Sequence, residues 1–144
     1  MRIRCIRTEF SEAEKERFGI ANIAPNSFRL TVGTEYLVLG LSFMDKSSVL
    51  GEGLCVDISG NGVYITPAPL RFFEITDPRS SRHWILSQNQ AGIFCLWPQS
   101  FFQPFYHDLL SDGDASVSED FRHTVAVLAT EFASGYGDGA TAAD

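Results

Sequence analysis

The sequence predicts an α+β fold: a small curved antiparallel sheet or partly open SH3-like barrel, with a short N-terminal helix and two C-terminal helices. Three observations predict it. Short apolar or alternating runs recur at intervals of about 8–12 residues over the first two thirds of the chain, divided by Gly, Pro, Asn and Ser. Beyond Pro98 the period becomes helical, with Phe121, Val125, Leu128 and Phe132 at i, i+4, i+7 and i+11. The length of 144 residues, 44% hydrophobic and 20% charged, is that of one folded domain with a single core. The expected organisation is one domain over residues 1–134 and a flexible tail over residues 135–144, whose Gly- and Ala-rich sequence offers no large apolar side chain after Tyr136.

Each element has its own signal. Ile3 and Cys5 alternate with Arg2 and Arg4, the pattern of a short edge strand guarded by charge. Ser11 and Glu14 stand at capping-box spacing, and Gly19 is placed to close the same short helix in a left-handed conformation. Residues 28–31 and 36–43 read as strands joined at Gly33-Thr34. Residues 54–58 and 63–66 flank Ser59-Gly60-Asn61-Gly62, the chemistry of a tight hairpin. Pro67-Ala68-Pro69 lacks two backbone donors and is expected to turn the chain at a sheet edge before a strand over residues 70–75. Asp77-Pro78 opens a loop to Arg82, and residues 84–86 and 93–96 form a last hairpin. Phe101, Phe102, Phe105, Leu109 and Leu110 follow at roughly helical spacing, with Pro104 restricting where that helix begins. After a polar break at residues 111–118, Ser116 and Glu119 have capping-box spacing for the final helix.

Charge is distributed unevenly. Residues 1–104 hold ten acids and ten bases, whereas residues 105–144 hold eight acids against Arg122 alone, so the whole net charge of −7 lies in the last forty residues. Such a segment repels nucleic acid, whose affinity comes from Lys and Arg neutralising phosphates. It suits a basic protein partner, since opposite charge speeds encounter by 10–10³. Asp108, Asp112, Asp114, Glu119 and Asp120 are the expected partner-binding residues. A solvated helix followed by an acidic tail is the other reading of the same charges.

Other chemistries find little support. No apolar run reaches the ~20 residues of a membrane span, and residues 1–15 lack a signal-peptide core, so a cytoplasmic protein that touches no membrane is expected. Cys5, Cys55 and Cys95 lie about forty residues apart without a CxxC, which favours reduced core thiols over a disulfide or zinc framework. His83, His107 and His123 have no metal-ligand spacing, and the glycine pairs lack the Lys-Ser/Thr of a phosphate loop. No catalytic residue, metal or cofactor is therefore expected. Five aromatics fall in residues 97–106, read either as the seam between sheet and helices or as exposed anchors for a partner.

Thr31-Val32-Gly33-Thr34-Glu35-Tyr36-Leu37-Val38-Leu39-Gly40, with its Gly-x-x-Tyr strand start, Pro69-Leu70-Arg71-Phe72-Phe73-Glu74-Ile75-Thr76-Asp77, His83-Trp84-Ile85 and the block from Trp97-Pro98 to Phe105 together resemble small cytosolic bacterial immunity proteins of toxin–antitoxin or interbacterial-competition systems, over about residues 28–132. The resemblance implies a non-catalytic protein that neutralises a cognate toxin by tight binding. Families of this sort diverge most at the toxin-facing surface, so no binding residue is carried over. Two other classes remain open: an adaptor whose sheet binds a cellular protein, and a small enzyme built on Cys95 or His107.

Overall fold

In the computed structural model, which describes residues 1–20, 23–60 and 62–134, the architecture is organised around one long strand, β2 (Glu35–Met44). Its stretch Leu37-Val38-Leu39-Gly40-Leu41 contains no polar side chain, and a strand that apolar needs cover on both faces. Residues 38–42 are all buried. Along one side β2 pairs antiparallel with β3 (Gly53–Ile58); its other side is shared between β1 (Arg2–Cys5), opposite residues 35–37, and β7 (Phe94–Pro98), opposite Leu41 and Ser42. β4 (Thr66–Pro69) flanks β3, β5 (Phe73–Asp77) flanks β1 and β6 (Trp84–Gln88) flanks β7. The strand order is β4-β3-β2-β1-β5, with β7 and β6 branching from β2.

β4 and β5 stand at opposite ends of that five-strand order, yet only the three-residue 3-10 turn Leu70–Phe72 joins them. The sheet must therefore curl until its ends nearly meet, giving a non-closed antiparallel barrel. Fully buried Phe72 fills the inside of the curl with Ile3, Val38, Val56, Ile58 and Ala68. Leu39 faces a second core, opposite to Val38, and a bulge between Val38 and Gly40 breaks the alternation beyond it so that Leu41 returns to the core of Val38. The second core, of Leu39, Cys95, Trp97, Phe101, Tyr106, Leu110, Phe121 and Leu128, lies under α2 (Tyr106–Ser111) and α3 (Ala115–Glu131). Burial on both faces of β2 thus follows from the α+β plan.

The short helix α1 (Glu12–Phe18) carries the expected reciprocal cap between Ser11 and Glu14, and Gly19 ends it at φ 62°. Arg7 grips Glu14 through two bonds of 2.6 and 2.7 Å, which holds that carboxyl down at about 2. The C-terminal end of α3 is docked by arginines: Arg2 Nε donates to Phe132 O and Arg79 to Ser134 O, placing cations on the negative end of the helix.

Several elements differ from the sequence expectations. β1 is interior, paired with both β2 and β5; its Arg2 and Arg4 protect a face, pairing with Glu35 and Glu74 on the flanking strands. Residues 28–31 form no strand, because the Asn26 amide bonds both N–H and C=O of Leu30 and places Asn26 and Arg29 in the left-handed region. The strand expected at residues 63–66 starts only at Thr66 and runs through Pro67-Ala68-Pro69, which is permitted because β4 has a neighbour on one side alone. The strand expected from residue 70 starts at Phe73, after the 3-10 turn. Phe101 and Phe102 belong to a 3-10 turn, Gln99–Phe102, and α2 waits until Tyr106, beyond Pro104. Asp114, not Ser116, caps α3, accepting from Val117 N at 2.9 Å. The expected flexible tail, residues 135–144, lies outside the described residues.

Gly40 is the tightest point. A Cβ there would collide with Cδ1 of Trp97 and stand 3.0 Å from the Leu96 carbonyl, between an indole and backbone that cannot yield. Gly40→Ala is expected to lower unfolding free energy by about 1–3 kcal/mol, read as a fall in urea midpoint at unchanged slope.

Candidate protein-interaction face

α2 is short and two-faced. Tyr106 and Leu110, one turn apart, point into the second core, while Phe105, Asp108, Leu109 and Asp112 at i, i+3, i+4 and i+7 form one exposed stripe. Phe105 is 64% and Leu109 39% exposed. The helix is anchored by the Tyr106 hydroxyl, which donates to Asp120 Oδ2 of α3 at 2.7 Å; burial, helped by that carboxylate, pushes the phenol well above its ordinary value. At the far end Gly113, at φ 78°, turns the chain so that Asp114 can begin α3.

Phe105 is the least comfortable residue of the stripe. Its φ of 60° is the left-handed region, which costs a non-glycine residue roughly 1–2 kcal/mol, and its ring gains no burial in return. Pro104 before it and the inward pull of Tyr106 after it fix that geometry. The left-handed residue opens α2, its carbonyl accepting from Leu109 N–H at 2.8 Å, and leaves the ring outside both cores.

The five carboxylates expected to meet a partner fall into two groups. Asp108, Asp112 and Glu119 are exposed and make no side-chain hydrogen bond or ion pair among the described residues. Asp114 is occupied by the α3 cap and Asp120 by Tyr106, so both hold the helix pair together. Helical spacing groups Phe105 and Leu109 with Phe101, Phe102 and Leu110, of which Phe101 and Leu110 are buried. The signal separating them is the pair Tyr106 and Leu110, which claims the inner face once Pro104 delays the helix start.

Beneath α2 lies a row of three strands. Trp97 of β7 lies against Gly40 of β2, and its indole N–H reaches Asp57 of β3 at 2.6 Å. Asp57 stands opposite Gly40 in the register and is 3% exposed. Ser42 also hydrogen-bonds this carboxyl and accepts in turn from the Cys95 thiol at 3.7 Å. Burial raises Asp57 to about 6 against the lowering effect of Trp97 and Ser42. The cysteines are all free and buried; burial drives Cys55 up to about 12 and Cys95 up to about 11, so neither is a thiolate at neutral pH. His107 stacks on Trp97 with ring centroids 4.9 Å apart, and burial lowers its pKa. It lines a cleft of about 190 Å³ with Asn89, Gln90, Trp97, Phe105 and Asp108.

No protein-family model matches the chain, and comparison with curated proteins and with solved structures finds nothing similar. Among the described residues no group of three or more His, Cys, Asp or Glu side chains is placed to hold a metal, and no helix is long and apolar enough to cross a membrane.

The raised Asp57 carboxyl makes stability depend on pH. Unfolded, the group ionises near 3.8; folded, near about 6. Between those values the folded state holds the extra proton, so the stabilisation from protonated Asp57 is complete below 3.8 and lost as pH rises through 6. Relative to Asp57→Asn, which stays neutral, wild-type unfolding free energy is expected to fall by about 3 kcal/mol across this window and level off above it, measured by urea titrations.

Proposed function

We propose that the chain is a non-catalytic, cytoplasmic binding protein of the immunity type, which inhibits a basic protein toxin by covering it with the outer face of α2 and the adjoining start of α3. The observation that carries this reading is the stripe Phe105, Asp108, Leu109 and Asp112: two exposed apolar side chains, one on strained backbone, set among carboxylates that form no ion pair among the described residues. Aromatic anchors surrounded by charge are how stable interfaces are built, with the anchor supplying affinity and the charge supplying encounter rate. Many enzymes that act on polyanions need basic active sites, and a carboxylate-bearing helix competes there for the same charge.

Capture of the partner from the native cell, identified by mass spectrometry, gives the reagent for kinetics. A basic toxin is expected. The double reversal Asp108→Lys with Asp112→Lys should slow association about tenfold or more at low salt, with the difference shrinking as salt is raised. Phe105→Gly should instead speed dissociation, while unfolding free energy holds or rises because the left-handed strain is relieved. Unchanged kinetics in both variants excludes this face.

A further inference from the structure

The sheet has three outer edges, and two of them are guarded. β4 carries Pro67 and Pro69, which cannot donate to an added strand, and β5 carries Glu74 and Asp77. β6 has neither device. Its sequence Trp84-Ile85-Leu86-Ser87-Gln88 is uncharged, with Ile85 43% and Leu86 64% exposed. The same is true of its surroundings: residues 84–106 contain no Asp, Glu, Lys or Arg.

Both faces beside that edge are apolar. On the face continuous with the inner core, Leu54, Phe43, Phe94 and Leu86 are exposed on β3, β2, β7 and β6, with Leu86 diagonal to Phe94, whose direct partner is Gln88. Phe43 stands directly opposite Leu54, and Leu86 opposite half-buried Leu96. On the other face Ile85 and Ser87 line an open groove of about 580 Å³ with Gln99, Ser100, Phe102 and Gln103. The backbone is also poised. Asn89 N–H bonds Ile93 O at 2.9 Å, so by the alternation of an antiparallel ladder Ser87 and Ile85 direct their groups to β7, and Leu86 turns its N–H and C=O outward.

We propose that β6 pairs antiparallel with β6 of a second copy of this chain about a two-fold axis at Leu86, joining two sheets into one. Charge selects this occupant. A chain of net charge −7 repels its own copy wherever it presents its acids, and a partner recognised by opposite charge finds nothing to pair with on residues 84–106. A two-fold contact sets a patch against the same patch of the other copy, and an uncharged, apolar patch meets its copy without like-charge repulsion. In that register Leu86 faces Leu86 of the other copy through two backbone hydrogen bonds, and Ile85 of the second copy enters the groove beside Ser87. The groove shares Phe102 and Gln103 with the cleft that Phe105 and Asp108 line, but Leu86 lines neither, so a change at Leu86 tests self-pairing apart from the proposed toxin binding.

Sedimentation velocity of the full chain at concentrations up to about 0.5 mM is expected to give twice the chain mass. Leu86→Lys, at an exposed position, should give the single-chain mass with an unchanged circular dichroism spectrum. Leu86→Cys should form a disulfide-linked dimer on mild oxidation, while the wild-type chain, with its three buried thiols, should not. Wild-type protein sedimenting as a single chain throughout, or Leu86→Lys remaining dimeric, overturns the proposal.

Discussion

The indole of Trp97 laid across Gly40 to reach Asp57 is the contact on which the rest depends. It spans β7, β2 and β3 in one step and requires a glycine in the middle, since a Cβ at residue 40 would occupy the ring's place. The bulge at Leu39 is what turns Gly40 toward that face. Once in place, Trp97 supports Phe101, Phe102 and His107, at centroid distances of 6.4, 5.0 and 4.9 Å. Those rings seat the 3-10 turn and the start of α2. The angle at which the exposed stripe leaves the body is thus set by an interaction buried two layers below it.

The same contact explains a buried carboxylate with no cation beside it. An ionised group in the interior is costly unless donors surround it. Asp57 receives the Trp97 and Ser42 hydrogen bonds, which offset part of the desolvation, and the residual shows as its raised pKa. Elsewhere charges are matched locally. Among the described residues ion pairs join Arg2 to Glu35, Arg4 to Glu74, Arg7 to Glu14, Lys15 to Glu12 and Arg79 to Asp77. The carboxylates after Phe105 have Arg122 as the single base in their segment. Of these, Glu131 is held by Ser81 and Arg82 N–H, Asp114 by the α3 cap and Asp120 by Tyr106, so the field of Asp108, Asp112 and Glu119 is the part that extends outward.

Legibility in the sequence followed the range of the interaction involved. The cap at Ser11 and Glu14, Gly19 as helix terminator, the hairpin of residues 84–96 and the stripe of α3 depend on neighbours within a few residues, and each is found where local rules put it. β1 misled because two strands, thirty and seventy residues away, cover both its sides; nothing in Arg2-Ile3-Arg4-Cys5 distinguishes a guarded edge from a guarded face. Residues 28–31 look like a strand until the Asn26 amide takes the Leu30 backbone. The importance of Gly40 was illegible for the same reason: its partner lies 57 positions away. At the site, the acidic excess was plain from composition. The division into free and structural carboxylates needed the positions of Tyr106 and Val117.

A distinction then emerges between uncomfortable residues that the fold uses and those that it does not. Asp57 breaks the rule against buried charge, yet its removal would orphan the Trp97 indole N–H, so its cost is tied to holding three strands in register. Phe105 breaks two rules, but differently: its left-handed backbone opens α2, with its carbonyl accepting from Leu109 N–H at 2.8 Å, whereas its exposed ring belongs to neither core. Sequences are locally consistent where nothing but folding is at stake, and violations without internal compensation concentrate where another molecule supplies the missing contact. By that criterion Asp57 belongs to the architecture, whereas the Phe105 ring, together with Leu109 one turn on, is exposed on the outer face of α2 and serves neither core, which is why the proposed binding face is placed there.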